Sequence, residues 1–426
     1  MATLVPARVR VRMYQVGFGD CFLVTIEYDG AGGNTRAERH ILFDCGSTSG
    51  PDDRPVNMAD IADLIAEHTH GSLDVLVLTH RHRDHLLGFG DTHGAEVFRT
   101  LAPKLVLRPW TEDPTLPATA DGPADDGAAA AGRFAVHLAN AQSAVAGVAT
   151  ATAESSGAKH DLHEEALQAL PNQAAVTALD TLAADGRGQY LHAGTALRLQ
   201  SVVPGLKVTV LGPPTVNQDK RVAKQVSRNP EYWMLRLQQS LTASAPAEVQ
   251  PPADVPPGQV RWLVEHLAKH QTDSLTRLVR DLDDAMNNTS LILVLEIGNL
   301  SMLFPGDAQI EDWQPTLDKL ADDQVLSAKL AGIDLYKVGH HGSRNATPRS
   351  LYALWTKRPA GAPPLTALMS TKPDVHGHSA QTMVPRQTLV DALKEVATLF
   401  STDDLAKDRA FLEVVAPATG GPFKPV

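Results

Sequence analysis

The chain has little cysteine, no excess of positive charge, no long apolar run and no internal repeat. Cys21 and Cys45 are the only cysteines in 426 residues, which excludes a disulfide framework. Each sits in or beside an apolar run, where a free thiol serves as a small core residue. The net charge of −11 speaks for solubility and against a surface that holds polyanions non-specifically. Long nucleic acid as a partner would then need a local basic groove. No stretch approaches the ~20 apolar residues of a membrane span, so no membrane partner is expected. Met1 to Met13 lacks the apolar core, roughly 7–15 residues, of a signal peptide; the sequence predicts a cytoplasmic protein. Aromatic residues are sparse at 5%, while 43% apolar and 20% charged residues are those of an ordinary globular protein.

What is present is concentrated histidine. Thr79-His80-Arg81-His82-Arg83-Asp84-His85 follows Leu73-Asp74-Val75-Leu76-Val77-Leu78, a run that reads as a buried strand. A strand that ends in so many imidazoles and a carboxylate delivers them to one rim of a sheet. These are donors that zinc and other borderline first-row ions prefer, so the pattern points to a metal site with hydrolytic chemistry.

The rest of the chain alternates strands and helices. Strands are predicted at Val9–Tyr14, Cys21–Tyr28 and His40–Asp44, a helix at Asn57–Thr69, a short helix near Glu96–Leu101 and a strand at Lys104–Arg108. From Thr111 to about Gly157 the composition turns to Ala, Gly, Asp, Pro and Thr, as in an insert. Asp161–Ala184, Asn217–Thr242 and Gln259–Met286 read as helices, and Thr195–Val203 and Leu206–Leu211 as strands. Ala243–Gly258, with five prolines in sixteen positions, reads as a linker. Ser290–Ile297 and Leu300–Phe304 form a hairpin through Gly298-Asn299. A helix at Ala308–Leu320, a strand at Ile333–Val338, a helix near Thr347–Thr356, a strand at Leu365–Ser370, a helix at Val384–Leu399 and a strand at Phe411–Val415 complete the chain. Three parts result: 1–110, an insertion over 111–286, and 287–426.

Several strand ends carry candidate ligands: Asp44, the His80–His85 cluster, Asp307, His340 with His341, and His376 with His378. In a layered α/β fold these can converge on one edge of the sheets. His80 and His82 suit one ion, Asp84 and His85 a second. Asp307 can bridge them, and a hydroxide between two ions is a strong nucleophile at neutral pH.

With these motifs the chain resembles the metallo-β-lactamase fold superfamily, whose His-x-His-x-Asp-His signature stands here as His80, His82, Asp84 and His85. Within it, the chain is similar to the hydrolase domain of the ComEC/Rec2 competence proteins and their soluble relatives. Val16-Gly17-Phe18-Gly19-Asp20, Phe43-Asp44-Cys45-Gly46, Asn287-Asn288-Thr289-Ser290, Gly306-Asp307, His340-His341-Gly342-Ser343 and Gly377-His378 follow that family's order. The resemblance spans roughly residues 8–108 and 286–416. It implies an α/β (α+β) protein with a four-layer αββα fold and a large, mostly helical insertion that covers or flanks the site.

It further implies His80 and His82 on one metal, Asp84 and His85 on the other, Asp307 as bridge, and one of His340 or His341 on the second metal. Many relatives place a histidine near position 288; this chain has Asn288, a weak ligand for zinc. One or two divalent ions, Zn2+ or Mn2+, are therefore expected. Asp44 reads as a carboxylate that orients a ligand histidine or caps the loop. Asp84 is expected to position the attacking water, and His378 to donate a hydrogen bond to substrate or developing oxyanion. Ser343 reads as a turn-packing residue. The implied activity is a metal-dependent hydrolase acting on a phosphodiester, as a nuclease or phosphodiesterase. A small carboxylic ester, lactone or thioester is the alternative substrate, and a non-catalytic metal-binding or signalling protein the alternative of another class.

Overall fold

The computed structural model describes residues 4–29, 37–52, 57–113, 145–146, 149, 172–215, 218–219, 286–343, 347–358, 362–375, 384–406 and 408–426. The chain divides into two units: Met1–Glu112 with Asn172–Pro213 and Asn288–Val426, and Asp113–Pro171 with Pro214–Asn287. Few residues of the second unit are described; in it the Thr215 N–H donates to Gln218 Oε1 at 2.9 Å, closing a short turn. The predicted helices Asn217–Thr242 and Gln259–Met286 and the linker Ala243–Gly258 lie almost wholly outside the described residues.

The first unit is a mixed α/β structure with two mixed sheets and, among the described residues, eight helices. Its first half runs β1 (Val5–Tyr14), β2 (Phe22–Asp29), β3 (Ala37–Phe43), α1 (Met58–His68), β4 (Val75–Val77), α2 (Arg83–Gly90), α3 (Thr92–Leu101) and β5 (Leu105–Pro109). Next come α4 (Gln173–Ala183), β6 (Gly188–Leu191) and β7 (Lys207–Gly212). Its second half runs β8 (Ile292–Ile297), β9 (Leu300–Phe304), α5 (Ile310–Leu317), α6 (Gln324–Ala331), β10 (Leu335–Lys337), α7 (Arg349–Trp355), β11 (Leu365–Met369), α8 (Gln387–Val396), β12 (Ala397–Ser401), β13 (Phe411–Pro417) and β14 (Lys424–Pro425).

The eight-stranded sheet has the order β14-β13-β1-β2-β3-β4-β5-β6, and the six-stranded sheet the order β12-β11-β10-β9-β8-β7. In the first, β1 to β3 are antiparallel and β3 to β6 parallel; in the second, β7 to β9 are antiparallel and β9 to β12 parallel. Alternation within the strands sorts side chains to two faces. Val9, Val11, Phe22, Val24 and Ile41 from one sheet meet Leu293, Leu295, Met302 and Phe304 from the other in one apolar cluster. Leu23, Leu42, Leu76 and Val106 face the opposite way, onto Ile61, Ile65, Phe89, Phe98 and Leu179 of the helices. Ile292, Val294, Leu303 and Tyr336 do the same on the second sheet, against Trp313, Leu330, Leu351 and Leu393.

Several elements differ from the sequence expectation. Residues Asn172–Pro213 belong to the first unit, so the region 111–286 is not one continuous insertion: β6 pairs with β5, and β7 with β8. The predicted strand Thr195–Val203 is irregular apart from one bridge, Ala196 to Thr209, while Gly188–Leu191, with its weak pattern, takes the edge position. Of the helix predicted over Asp161–Ala184, the described part is Gln173–Ala183, which Asn172 caps by accepting from the Ala175 N–H at 3.1 Å; residues 161–171 lie outside the described residues. The helix predicted to Leu399 stops at Val396, and Ala397–Ser401 leaves it to extend the parallel ladder beside β11.

Candidate metal centre

The site stands where strands of both sheets end. Phe43, the last residue of β3, stacks on Phe304, the last residue of β9, with ring centroids 4.2 Å apart and planes 10° from parallel. This contact pins two strand ends just before Asp44 and Gly306-Asp307. The Leu291 N–H donates to the Thr79 carbonyl at 3.0 Å, a further tie across the sheets. Gly306 has φ +55°, and a Cβ there would lie 2.8 Å from Thr79 Cβ, so both its conformation and its surroundings require glycine.

Past β4 the chain turns into α2. His82 is the N-cap residue and Asp84 lies in the first turn, where a carboxylate is favoured by the unsatisfied amides of a helix start. The side chain of His82 does not cap; its Nδ1 lies 2.9 Å from His80 Nε2. Three residues after His82, His85 is fully buried. Its Nδ1 hydrogen-bonds Asp44 Oδ2 at 2.9 Å, and Asp44 also accepts from the Thr79 N–H and Oγ1, each at 2.7 Å. Asp44 thus orients the histidine and fastens the loop that carries it. With Nδ1 committed, Nε2 is the free face of the ring.

From the other sheet come Asp307, after β9, and His340 and His341, after β10. Both histidines have left-handed backbone, φ 42° and 52°, strain of the kind that collects at functional sites. His341 Nδ1 lies 2.9 Å from the Ser370 carbonyl and so donates to it, again leaving Nε2 outward. His340 faces away, toward Ser343 Oγ at 2.8 Å, and offers Asp307 Oδ1 only its backbone N–H at 3.0 Å.

Asp84, His85, Asp307 and His341 therefore form one group whose donor atoms all lie within 4.8 Å of one another. His85 Nε2 stands 3.1 Å from Asp307 Oδ2, and His341 Nε2 stands 2.9 Å from Asp84 Oδ2 and 3.5 Å from Asp307 Oδ2. A tetrahedral ion at about 2.0–2.1 Å from its donors sets neighbouring donors ~3.3 Å apart. The two carboxylates and two imidazoles bracket that spacing, so the donor set fits a divalent ion.

The electrostatics agree. Burial opposes charging His85, but Asp307, Asp84 and Asp44 outweigh it and raise its pKa well above the ordinary imidazole value. His341 is raised likewise, burial being overcome by Asp307, Asp84 and Asp20. Burial alone would lift Asp307; His85, Lys337 and His341 reverse this and hold it well below the usual carboxylate range. A pocket that draws protons onto two buried imidazoles is one that attracts a cation. His80 is the contrast: burial, then His85 and His82, hold it well below its ordinary value, so it stays neutral.

Of the remaining expected site residues, His80 and His82 lie beside the group, the His80 ring centroid 4.1 Å from that of His85. Among the described residues they join no third metal-binding side chain. Asn288 is half-buried, with its Oδ1 buried and accepting no hydrogen bond. His376 and His378 fall outside the described residues. Sequence reasoning gave no role to two residues here: Asp20, named only within the Val16–Asp20 motif, and Lys337, not singled out at all. Asp20 and Lys337 are buried and ion-paired, and Lys337 Nζ also reaches Asp307 Oδ1 at 3.1 Å. The signal was a lysine inside an apolar strand.

No model of a known protein family matches the chain, and no curated protein matches it.

Proposed function

We propose that the chain is a metal-dependent hydrolase built on the four-layer αββα fold of the metallo-β-lactamase superfamily. Two sheets with one apolar cluster between them and helices on each outer face support that fold. The observation that carries the function is the group of Asp84, His85, Asp307 and His341, in which both histidines have Nδ1 hydrogen-bonded and Nε2 turned to the carboxylates. Zn2+ or Mn2+ is the ion that two nitrogens and two carboxylate oxygens would take. A divalent ion there would acidify a water molecule and neutralise charge developing in the transition state. The chain's own part is to hold that geometry. Asp84, with its side chain 13% exposed against 1% for Asp307 and His341, meets the solvent side and holds an incoming water by hydrogen bond. His80 and His82 supply a second, weaker position, since Asn288 stands where a third imidazole is expected.

A phosphodiester is the substrate class the motif resemblance favours. The test is metal content by mass spectrometry, together with hydrolysis of bis-p-nitrophenyl phosphate in added Zn2+ or Mn2+. At least one ion per chain and turnover that Asp307→Ala abolishes are expected. Hydrolysis of lactones or carboxylic esters alone would move the substrate class. Metal without turnover of any ester would leave a metal-binding protein and end the enzyme reading.

A further inference from the structure

Lys337 closes β10 with its side chain 3% exposed, a rare state for a lysine unless every donor is matched. Its ammonium has three N–H groups and meets three acceptors: the Gly306 carbonyl at 3.0 Å, Asp307 Oδ1 at 3.1 Å and Asp20 Oδ2. Asp20 in turn lies 3.8 Å from His85 Nδ1 and 3.7 Å from His341 Nδ1, behind both rings. The Asp20 backbone N–H donates to the Asp84 carbonyl at 2.9 Å. Lys337 and Asp20 therefore touch or back all four members of the metal group while belonging to none of its donor positions.

Asp307 Oδ1 accepts from Lys337 Nζ and from the His340 N–H. Two donors occupy the lone pairs of that oxygen, and only Oδ2 is left to face His85 and His341. We propose that Lys337 is a positioning residue that restricts Asp307 to ligation through one oxygen, so that the four-donor position fills before the His80 and His82 pair. This rests on the metal-centre reading above and deepens it. Asp307 Oδ1 is closed to any ion taken by His80 and His82, because Lys337 and the His340 N–H already hold it.

The experiment uses the full chain with one equivalent of Co2+, whose visible d–d band is intense with four ligands and weakens as ligands are added. The wild type, with four protein donors and one water, gives a band of intermediate intensity. Lys337→Met frees Oδ1 to become a further ligand and removes the cation beside it; the band weakens and affinity for the ion, measured by competition with a chromophoric chelator, rises about ten-fold. Lys337→Gln, which retains one N–H donor, restores part of both. Circular dichroism verifies folding. Should Lys337→Met not fold, Lys337→Gln and Asp20→Asn carry the test, each giving a smaller weakening of the band. Wild-type band and affinity in every folded variant would overturn the role of Lys337 while leaving the metal centre intact. A wild-type chain that takes up no cobalt would overturn both.

Discussion

Asp44 accepts three hydrogen bonds, from His85 Nδ1, the Thr79 N–H and Thr79 Oγ1. It does so from left-handed backbone, φ 53°, which aspartate tolerates better than most residues. Changing Asp44→Ala releases the His85 ring and leaves a buried amide unpaired. We expect metal affinity to drop about 10–100-fold, the usual cost of losing such a support, read by chelator competition with the fold intact by circular dichroism. Asp44 and Lys337 mark two limits of legibility. The carboxylate follows an apolar strand immediately, so its closeness to the histidines was readable. The lysine lies inside a strand, and alternation says which face it takes but not that three acceptors wait there.

At the scale of elements, the histidine motif reads as a loop in the sequence, yet its second half is the first turn of α2. The apolar residues that define the helix, Leu86 and Phe89, come after the motif and too few follow for a clear period. Its first half is held by Arg81, whose Nε lies 2.5 Å from Glu112 Oε2; Arg108 Nη2 meets the same oxygen at 2.9 Å. Arg108 is fully buried and Glu112 2% exposed. Glu112→Ala would leave a buried guanidinium with Asp180 as its one carboxylate partner among the described residues, and breaking such a pair costs about 3–5 kcal/mol. Urea unfolding should show a loss toward the lower end of that range. Ala397–Ser401 and Gly188–Leu191 escaped for the opposite reason: each is an edge strand, fixed by the ladder it joins more than by its own residues.

The whole molecule carries a pH dependence separate from the metal centre. His40 is held at about 4, by burial first with Asp74 opposing, and His68 at about 4, by burial and then Arg12 and Arg10. In the unfolded chain both titrate near ~6.5. Between those values the unfolded state binds more protons, so stability is full above about 6.5 and is lost as pH falls toward 4. Thermal midpoints recorded from pH 7 to 4.5 should fall. His68→Phe, which keeps a ring against Phe411, should make the decline shallower; an unchanged slope would contradict the assignment.

The metal group joins residues 257 positions apart in the chain, as in the contact of His341 with Asp84. Asp84 and His85 come from the end of one sheet, Asp307 and His341 from the other. Neither portion of the polypeptide owns a complete ligand set. A bound ion would therefore act as a rivet between the two sheets, and its capture would report that both had formed and met. A nascent chain released only as far as β5 would hold two of the four donors and remain inert. The centre would thus serve as a coincidence detector for the protein's own assembly.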